Sequence, residues 1–135
     1  MRLTRPMLAV AGAAAVLALT GCGAGDDAAA KLPPTASGSL ESLAAEVKCK
    51  PDMQTDADTI RQAQCTTAAG RFILLTYSTD RGQREWLNDA KDYGGFYLVG
   101  RKWTISTDRD AIVEKLRRTL GGDVEYGVDH HAHSG

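Results

Sequence analysis

The tetrapeptide Ser-Thr-Asp-Arg occurs twice in this chain of 135 residues, at 78–81 and again 28 positions later at 106–109. In both copies an apolar, strand-like segment precedes the tetrapeptide, a segment of helical periodicity follows it, and a pair of glycines ends that segment. Because serine, threonine and aspartate cap helix N-termini, the repeat indicates two strand-to-helix junctions rather than a ligand loop used twice. We therefore expect two strand–helix–strand units.

The segments around the repeat define the expected elements. The first helix begins at Asp80, with Gln83 in the position of a capping box, and runs to about residue 93. The second helix spans about 109–120 and has an apolar stripe at helical spacing. Strands are expected at 60–67, 71–77, 96–99 and 103–106, and a short additional strand at 123–127.

This order of elements resembles the ferredoxin-like βαββαβ pattern. It predicts an α+β two-layer sandwich, in which an antiparallel sheet of four to five strands carries two helices on one face. The segment at 60–67 departs from the pattern, because a hairpin with 71–77 would compete with 123–127 for the same neighbour. A ββαββα order therefore stays open. Leu40, Leu43 and Val47 have helical spacing and predict a short helix before the sheet.

The central strands carry apolar residues on both faces. If alternate residues of 71–77 face the helices, Phe72 and Leu74 face the other way, and Tyr97 and Val99 are the counterparts in the second hairpin. An antiparallel sheet with helices on one face usually has a polar second face. We therefore expect either that residues 46–59 cover this face or that Phe72, Leu74, Tyr97 and Val99 contact a protein partner, a small ligand or a second copy.

The N-terminus has the composition of an export signal. Arg2 and Arg5 precede an uncharged apolar run from Leu8 to Leu19, too short to span a membrane as a mature helix. The sequence Leu19-Thr20-Gly21-Cys22 that follows resembles the bacterial lipobox. This resemblance implies cleavage before Cys22, acylation of its thiol, and a protein held by lipid on the extracytoplasmic face of the cell membrane.

Composition then divides the chain. Of the 23 residues at 23–45, 16 are Gly, Ala, Ser, Thr or Pro, which bury too little apolar surface to order a segment. We expect a signal peptide at 1–21, lipidated Cys22 with a flexible tether at 22–45, an α+β domain at 46–127, and a disordered histidine-containing tail at 128–135. Without residues 1–21 the chain keeps 14 basic and 17 acidic side chains, a net charge of −3.

Three cysteines are an odd number for an exported protein until Cys22 is assigned to lipid. Cys49 and Cys65 then remain as an even pair in an oxidising compartment, which predicts a disulfide between them. Their separation does not match the close cysteine pairs of structural zinc sites, and there is no Cys-x-x-Cys redox motif.

Candidates for chemistry are few. All three histidines stand in the C-terminal tail, where they form a candidate Zn, Ni or Cu site: His130, His131 and His133. A short tail lacks surrounding groups to orient the rings, so an incidental polar terminus is the competing interpretation. Two carboxylate pairs, Asp80/Glu85 and Asp108/Asp110, stand at helix starts, where the helix dipole already favours acids. No cofactor motif is present, and interleaved acids argue against nucleic acid as a partner.

Taken whole, the chain resembles small secreted actinobacterial lipoproteins. The resemblance rests on the lipobox, the Ala/Gly-rich tether, the two mature cysteines and the stretch GQREWLNDAKDYGGFYLVGRKW at 82–103. It implies a location and no activity. The sequence favours a non-enzymatic, membrane-tethered binding or interaction module. A small cell-surface hydrolase using carboxylates, and metal capture by the histidine tail, are the alternatives.

Overall fold

The computed structural model describes residues 31–128, which contain three helices and six strands. In chain order these are α1 (Leu40–Glu46), β1 (Asp52–Asp56), β2 (Ile60–Thr67), β3 (Gly70–Tyr77), α2 (Asp80–Lys91), β4 (Phe96–Gly100), β5 (Trp103–Thr107), α3 (Asp110–Leu120) and β6 (Asp123–Tyr126). Every strand and helix expected from the sequence is present, including the short helix at Leu40. β1 was not expected, because all five of its residues are exposed and it has no apolar alternation.

The strands form one open sheet in the order β1-β2-β3-β5-β4-β6, and all neighbours are antiparallel. β2 and β3 form a hairpin that pairs Ile60 with Tyr77 and Thr67 with Gly70. β6 pairs with β4 at the opposite side of the sheet, so the two segments expected to compete have separate neighbours. The α+β class with an antiparallel sheet is confirmed. The sheet has six strands within the described residues rather than four to five.

The expected placement of both long helices on one face is wrong. α3 and α1 cover the face that carries Leu74, Leu98 and Ile105. α2 covers the opposite face, where the hydroxyl of Tyr97 donates to the carbonyl oxygen of Ala90 at 3.0 Å. The fold therefore has three layers, with the sheet in the middle.

The pairing of β6 explains this arrangement. The connection through α2 runs from β3 past β5 to β4, and the connection through α3 runs from β5 past β4 to β6, in the same direction across the sheet. β5 is antiparallel to β3, so two crossovers of the same right-handed sense place their helices on opposite faces. In the ferredoxin-like order the last strand returns beside the first, and both helices then share a face.

The folded unit begins earlier than the predicted boundary at residue 46. It extends from Leu32, and α1 buries Leu40 and Leu43 completely. The backbone N–H of Ala36 donates to the carbonyl oxygen of Leu120 at 2.8 Å. Gly121 has φ +70, and an added Cβ there would approach the carbonyl oxygen of Pro33 to 2.7 Å. Residues 33–36 are therefore part of the folded unit rather than of the tether.

The predicted disulfide between Cys49 and Cys65 is confirmed. It joins the segment after α1 to β2, across a Cα–Cα distance of 5.5 Å, and both cysteines are buried in the core. Coverage of a sheet face by residues 46–59 was one of the two alternatives left open by the sequence; these residues instead pass the disulfide and form the edge strand β1.

The repeated tetrapeptide has the same position but different hydrogen bonds in its two copies. Thr79 is the N-cap of α2, and its Oγ1 accepts a hydrogen bond from the N–H of Gly82 at 2.9 Å. Arg109 is the N-cap of α3 without a side-chain bond, and Thr107 instead donates to the carbonyl oxygen of Arg71 at 3.2 Å. Shared capping chemistry therefore holds for the first copy only.

Candidate binding cleft

The turn between β4 and β5 presents two cationic side chains. Gly100 pairs with Trp103, which leaves Arg101 and Lys102 as a two-residue hairpin loop. Lys102 has φ +61, in the left-handed region that glycine and asparagine usually occupy in such turns. A residue with a Cβ is less stable in this conformation, so surrounding contacts must hold the turn in place.

Gln83 of α2 supplies those contacts. Its buried side-chain Nε2 donates to the carbonyl oxygens of Gly100 at 2.9 Å and Trp103 at 2.8 Å. Its Oε1 accepts from the backbone N–H of Lys102 at 3.2 Å. Gln83 therefore does not form the expected capping box. Instead, its side chain reaches from α2 to the β4–β5 turn and holds the turn through these hydrogen bonds.

A cleft of about 360 Å³ opens beside this turn. It lies between the start of α1, the end of β3 and the hairpin loop. The residues lining it are Ser37, Gly38, Ser39, Leu40, Arg61, Thr76, Tyr77, Arg101 and Lys102. Three of these lining residues are cationic and none is acidic.

The three cations differ in how their charge is balanced. Both Nη atoms of Arg61 donate hydrogen bonds to the carboxylate of Glu41 at 2.8 Å, and its Nε donates one to Asp56 at 2.8 Å. The hydrogen bonds with Arg61 lower the pKa of Glu41 to about 2. By contrast, the side chains of Arg101 and Lys102 form no hydrogen bond or ion pair with any residue between 31 and 128, and both are exposed. Arg61 and its two carboxylate partners together carry a net charge of −1, so the unbalanced positive charge of the cleft is at the hairpin loop.

The residues predicted as an interaction face do not share one surface. Phe72 and Leu74 are buried in the core with α1 and α3. Tyr97 is buried on the opposite face beneath α2, and Val99 lies on that same face, half-buried. The apolar residues on both faces are thus explained by helices on both faces. These four residues do not form an exposed docking surface.

Two other predicted sites lie outside the described residues: Cys22, and the histidines His130, His131 and His133. From residue 31 to residue 128, no group of three or more His, Cys, Asp or Glu side chains is arranged to hold a metal ion.

The predicted carboxylate pairs lie at or near helix starts, with Asp108 just before α3 and Glu85 in the second turn of α2. Asp80 and Asp110 occupy the first turns of α2 and α3, and Glu85 forms an ion pair with Arg81 at 3.1 Å. A different acid, Glu125 of β6, accepts from the guanidinium of Arg84 at 3.0 and 3.1 Å and from Lys91. The hydrogen bond with Arg84, followed by that with Lys91, lowers the pKa of Glu125 to about 2.

The sequence did not predict that Gln83 holds the turn or that Arg61 forms ion pairs, because their partners include residues that are distant along the chain. Arg101 and Lys102 carried a usable signal, because loop residues of a two-residue hairpin project from the end of a sheet.

No protein-family model matches this sequence, and comparisons with curated proteins and with solved structures found no match either. None of the helices within residues 31–128 is long and apolar enough to span a membrane.

Proposed function

We propose that this protein is a lipid-anchored binding module on the extracytoplasmic face of the membrane, that it acts without catalysis, and that its cleft takes up an anionic group. The observation that carries the proposal is the pair Arg101 and Lys102, which stand unpaired beside a cleft whose lining residues include no acid. The lipobox-like Leu19-Thr20-Gly21-Cys22 supports the anchor.

The chemistry of the cleft suits phosphate or carboxylate groups. A guanidinium offers a planar set of donors that matches both groups, and an ammonium adds a compact charge. The hydroxyl-bearing Ser37 and Thr76 also line the cleft and are able to donate hydrogen bonds to anionic oxygens. The N–H of Tyr77 donates to the carbonyl oxygen of Lys102 at 3.0 Å. Together with Gln83, this hydrogen bond holds the loop in place without a ligand.

Ionisation in the described domain also favours binding over acid–base catalysis. A general acid or base works best with a pKa near the operating pH. The carboxyls whose pKa is displaced, Glu41 and Glu125, are both lowered to about 2 and serve as ion-pair partners of arginine.

Two measurements test the proposal. Growth with labelled palmitate should label the wild type and not Cys22→Ala, and an unlabelled wild type would contradict the anchor. Titration of the protein with inorganic phosphate and with acetate, followed by NMR, should shift the resonances of Arg101, Lys102 and Ser37 together. Shifts spread over many surface cations, or none at these residues, would contradict the assignment of the cleft.

A further inference from the structure

The cleft lies where the chain enters the folded unit. The indole Nε1 of Trp103 donates to the carbonyl oxygen of Ala36 at 2.7 Å, and the next residues, Ser37 to Leu40, line the cleft itself. The chain exit lies at the other end of the sheet, where the N–H of Gly127 donates to the carbonyl oxygen of Gly95 at 2.9 Å. Chain entry and cleft therefore share one end of the domain.

We propose that the anionic group in the cleft is the phosphate of an anionic lipid headgroup in the same membrane that holds Cys22. This inference rests on the proposed lipid anchor. The folded unit begins at Leu32, ten residues after Cys22. Ten residues span at most about 35 Å. This length allows the cleft, which lies beside the chain entry, to contact the membrane surface.

Local charge, not overall charge, has to provide the attraction. Residues 22–135 carry a net charge of −3, so an anionic bilayer repels the domain as a whole. At physiological ionic strength, charges are screened beyond about 8 Å. Arg101 and Lys102, which project from the loop without an acidic partner among the described residues, therefore contact headgroups while more distant acids are screened. The domain would dock in one orientation, with Val128 pointing away from the membrane.

The test uses residues 22–135 with Cys22→Ser, which retain the whole folded unit and have no acyl chain to hold them on lipid. Co-sedimentation is measured with phosphatidylglycerol/phosphatidylcholine vesicles and with pure phosphatidylcholine vesicles, in the presence and absence of excess inorganic phosphate. We expect binding to the anionic vesicles that weakens with added salt. Arg101→Glu with Lys102→Glu should lower the affinity about 30-fold or more, from the loss of two lysine or arginine contacts at an anionic surface.

The matched control is Lys50→Glu with Lys115→Glu, which makes the same change in net charge at exposed residues that do not line the cleft. It should retain most of the vesicle affinity. Arg101→Gln with Lys102→Gly gives a second cleft variant suited to the left-handed turn, should the first unfold. Equal losses in cleft and control pairs, or no preference for phosphatidylglycerol, would overturn the inference.

Competition separates the two sources of phosphate. Free phosphate that binds as tightly as the vesicles and displaces them completely would assign the cleft to a soluble anion and overturn lipid docking. Lipidation is measured separately by palmitate labelling. If the wild type is labelled but its Cys22→Ser form does not bind anionic vesicles, lipid docking alone is contradicted. If the wild type is not labelled, the anchor is contradicted.

Discussion

The buried indole of Trp103 donates a hydrogen bond of 2.7 Å to the carbonyl oxygen of Ala36 and so joins the start of β5 to the entering chain. The N–H of the same Ala36 donates to Leu120 at the end of α3. Both polar groups of one alanine are thus satisfied by the core. This fixes residues 33–36 to the domain and leaves nine residues, 23–31, between Cys22 and the folded unit.

Trp103→Phe should free this entering segment. The substitution leaves the carbonyl oxygen of Ala36 without its donor, which should lower the free energy of unfolding by about 1–3 kcal/mol. Urea denaturation measures the loss, and the amide of Ala36 should exchange hydrogen faster. Trp86→Phe is the control, because Trp86 contacts the rings of Tyr77 and Tyr97 on the other face. Equal exchange at Ala36 in both variants would argue against the role of the indole hydrogen bond.

Gln83→Leu should destabilise the β4–β5 turn. It removes the side-chain partners of Gly100, Lys102 and Trp103, and we expect a loss of about 2–4 kcal/mol in unfolding free energy, since several buried backbone groups lose their partners. Asn88→Leu controls for the loss of a polar side chain on the same helix, because Asn88 is exposed. Phosphate titration of the folded fraction should also weaken. An unchanged denaturation midpoint of Gln83→Leu would show that the turn does not need the hydrogen bonds of Gln83.

Lys102→Gly should increase stability and decrease anion binding together. Glycine accepts φ +61 without the penalty of a Cβ, so the unfolding free energy should rise by about 0.5–1 kcal/mol. Affinity for phosphate should fall because one of two unpaired cations is lost. The control is Lys102→Asn, which tolerates the conformation and removes the same charge. A glycine variant with unchanged phosphate affinity would exclude Lys102 from the site.

Removal of the disulfide should cost about 3 kcal/mol of unfolding free energy, the value expected for a loop of this size. The variant is Cys49→Ala with Cys65→Ala, since the two cysteines are 16 positions apart and both buried. Guanidinium denaturation with and without reductant measures the effect. Reductant should shift the wild-type midpoint and leave the double variant unchanged. A shift in both would indicate that the reductant acts elsewhere.

Acid should weaken the contact between α2 and β6. The pKa of Glu125 lies at about 2 in the folded protein, below its ordinary value of 4.5, so its ion pairs stabilise the fold above about pH 4.5. This contribution is lost as the pH falls from about 4.5 to 2. Its size should be about 1–2 kcal/mol after screening of a side chain that is 22% exposed.

Glu125→Gln should remove this part of the acid sensitivity, as measured by thermal denaturation between pH 2 and 7. Glu41→Gln is the comparison, because Glu41 also has a lowered pKa but is 58% exposed and should have a smaller effect. Identical pH profiles for wild type and Glu125→Gln would refute a stabilising role of this ion pair.

Much of the fold could be predicted from the sequence. The hairpin of β2 and β3, the strand–helix junctions at Asp80 and Asp110 and the helix at Leu40 follow from periodicity and turn residues, which are local properties. β1 has no such pattern because its five residues are exposed. The face occupied by α3 was also not predictable, since it depends on whether β6 joins the β3 or the β4 side of the sheet.

The cleft was predictable only in part. The flanking apolar segments predicted a hairpin with a tight turn at Gly100 and Arg101, one position before the observed loop of Arg101 and Lys102. The sequence did not predict which of the cations are unpaired, because Arg61 forms an ion pair with Glu41, which lies 20 positions away along the chain. The prediction of a capping box at Gln83 was wrong for the same reason. It followed from local spacing, whereas the partners of Gln83 lie on β4, β5 and the loop between them.

The sequence by itself determined the disulfide pair, the α+β class and most of the elements, because each depends on residue composition or on neighbours within one turn or hairpin. Tertiary structure alone decided three things: that helices cover both faces, that the folded unit reaches back to Leu32, and that two of three cleft cations are unpaired. These depend on strand pairing and on contacts between distant segments. Such contacts are selected by the burial and hydrogen bonding of the whole chain, which no local pattern records.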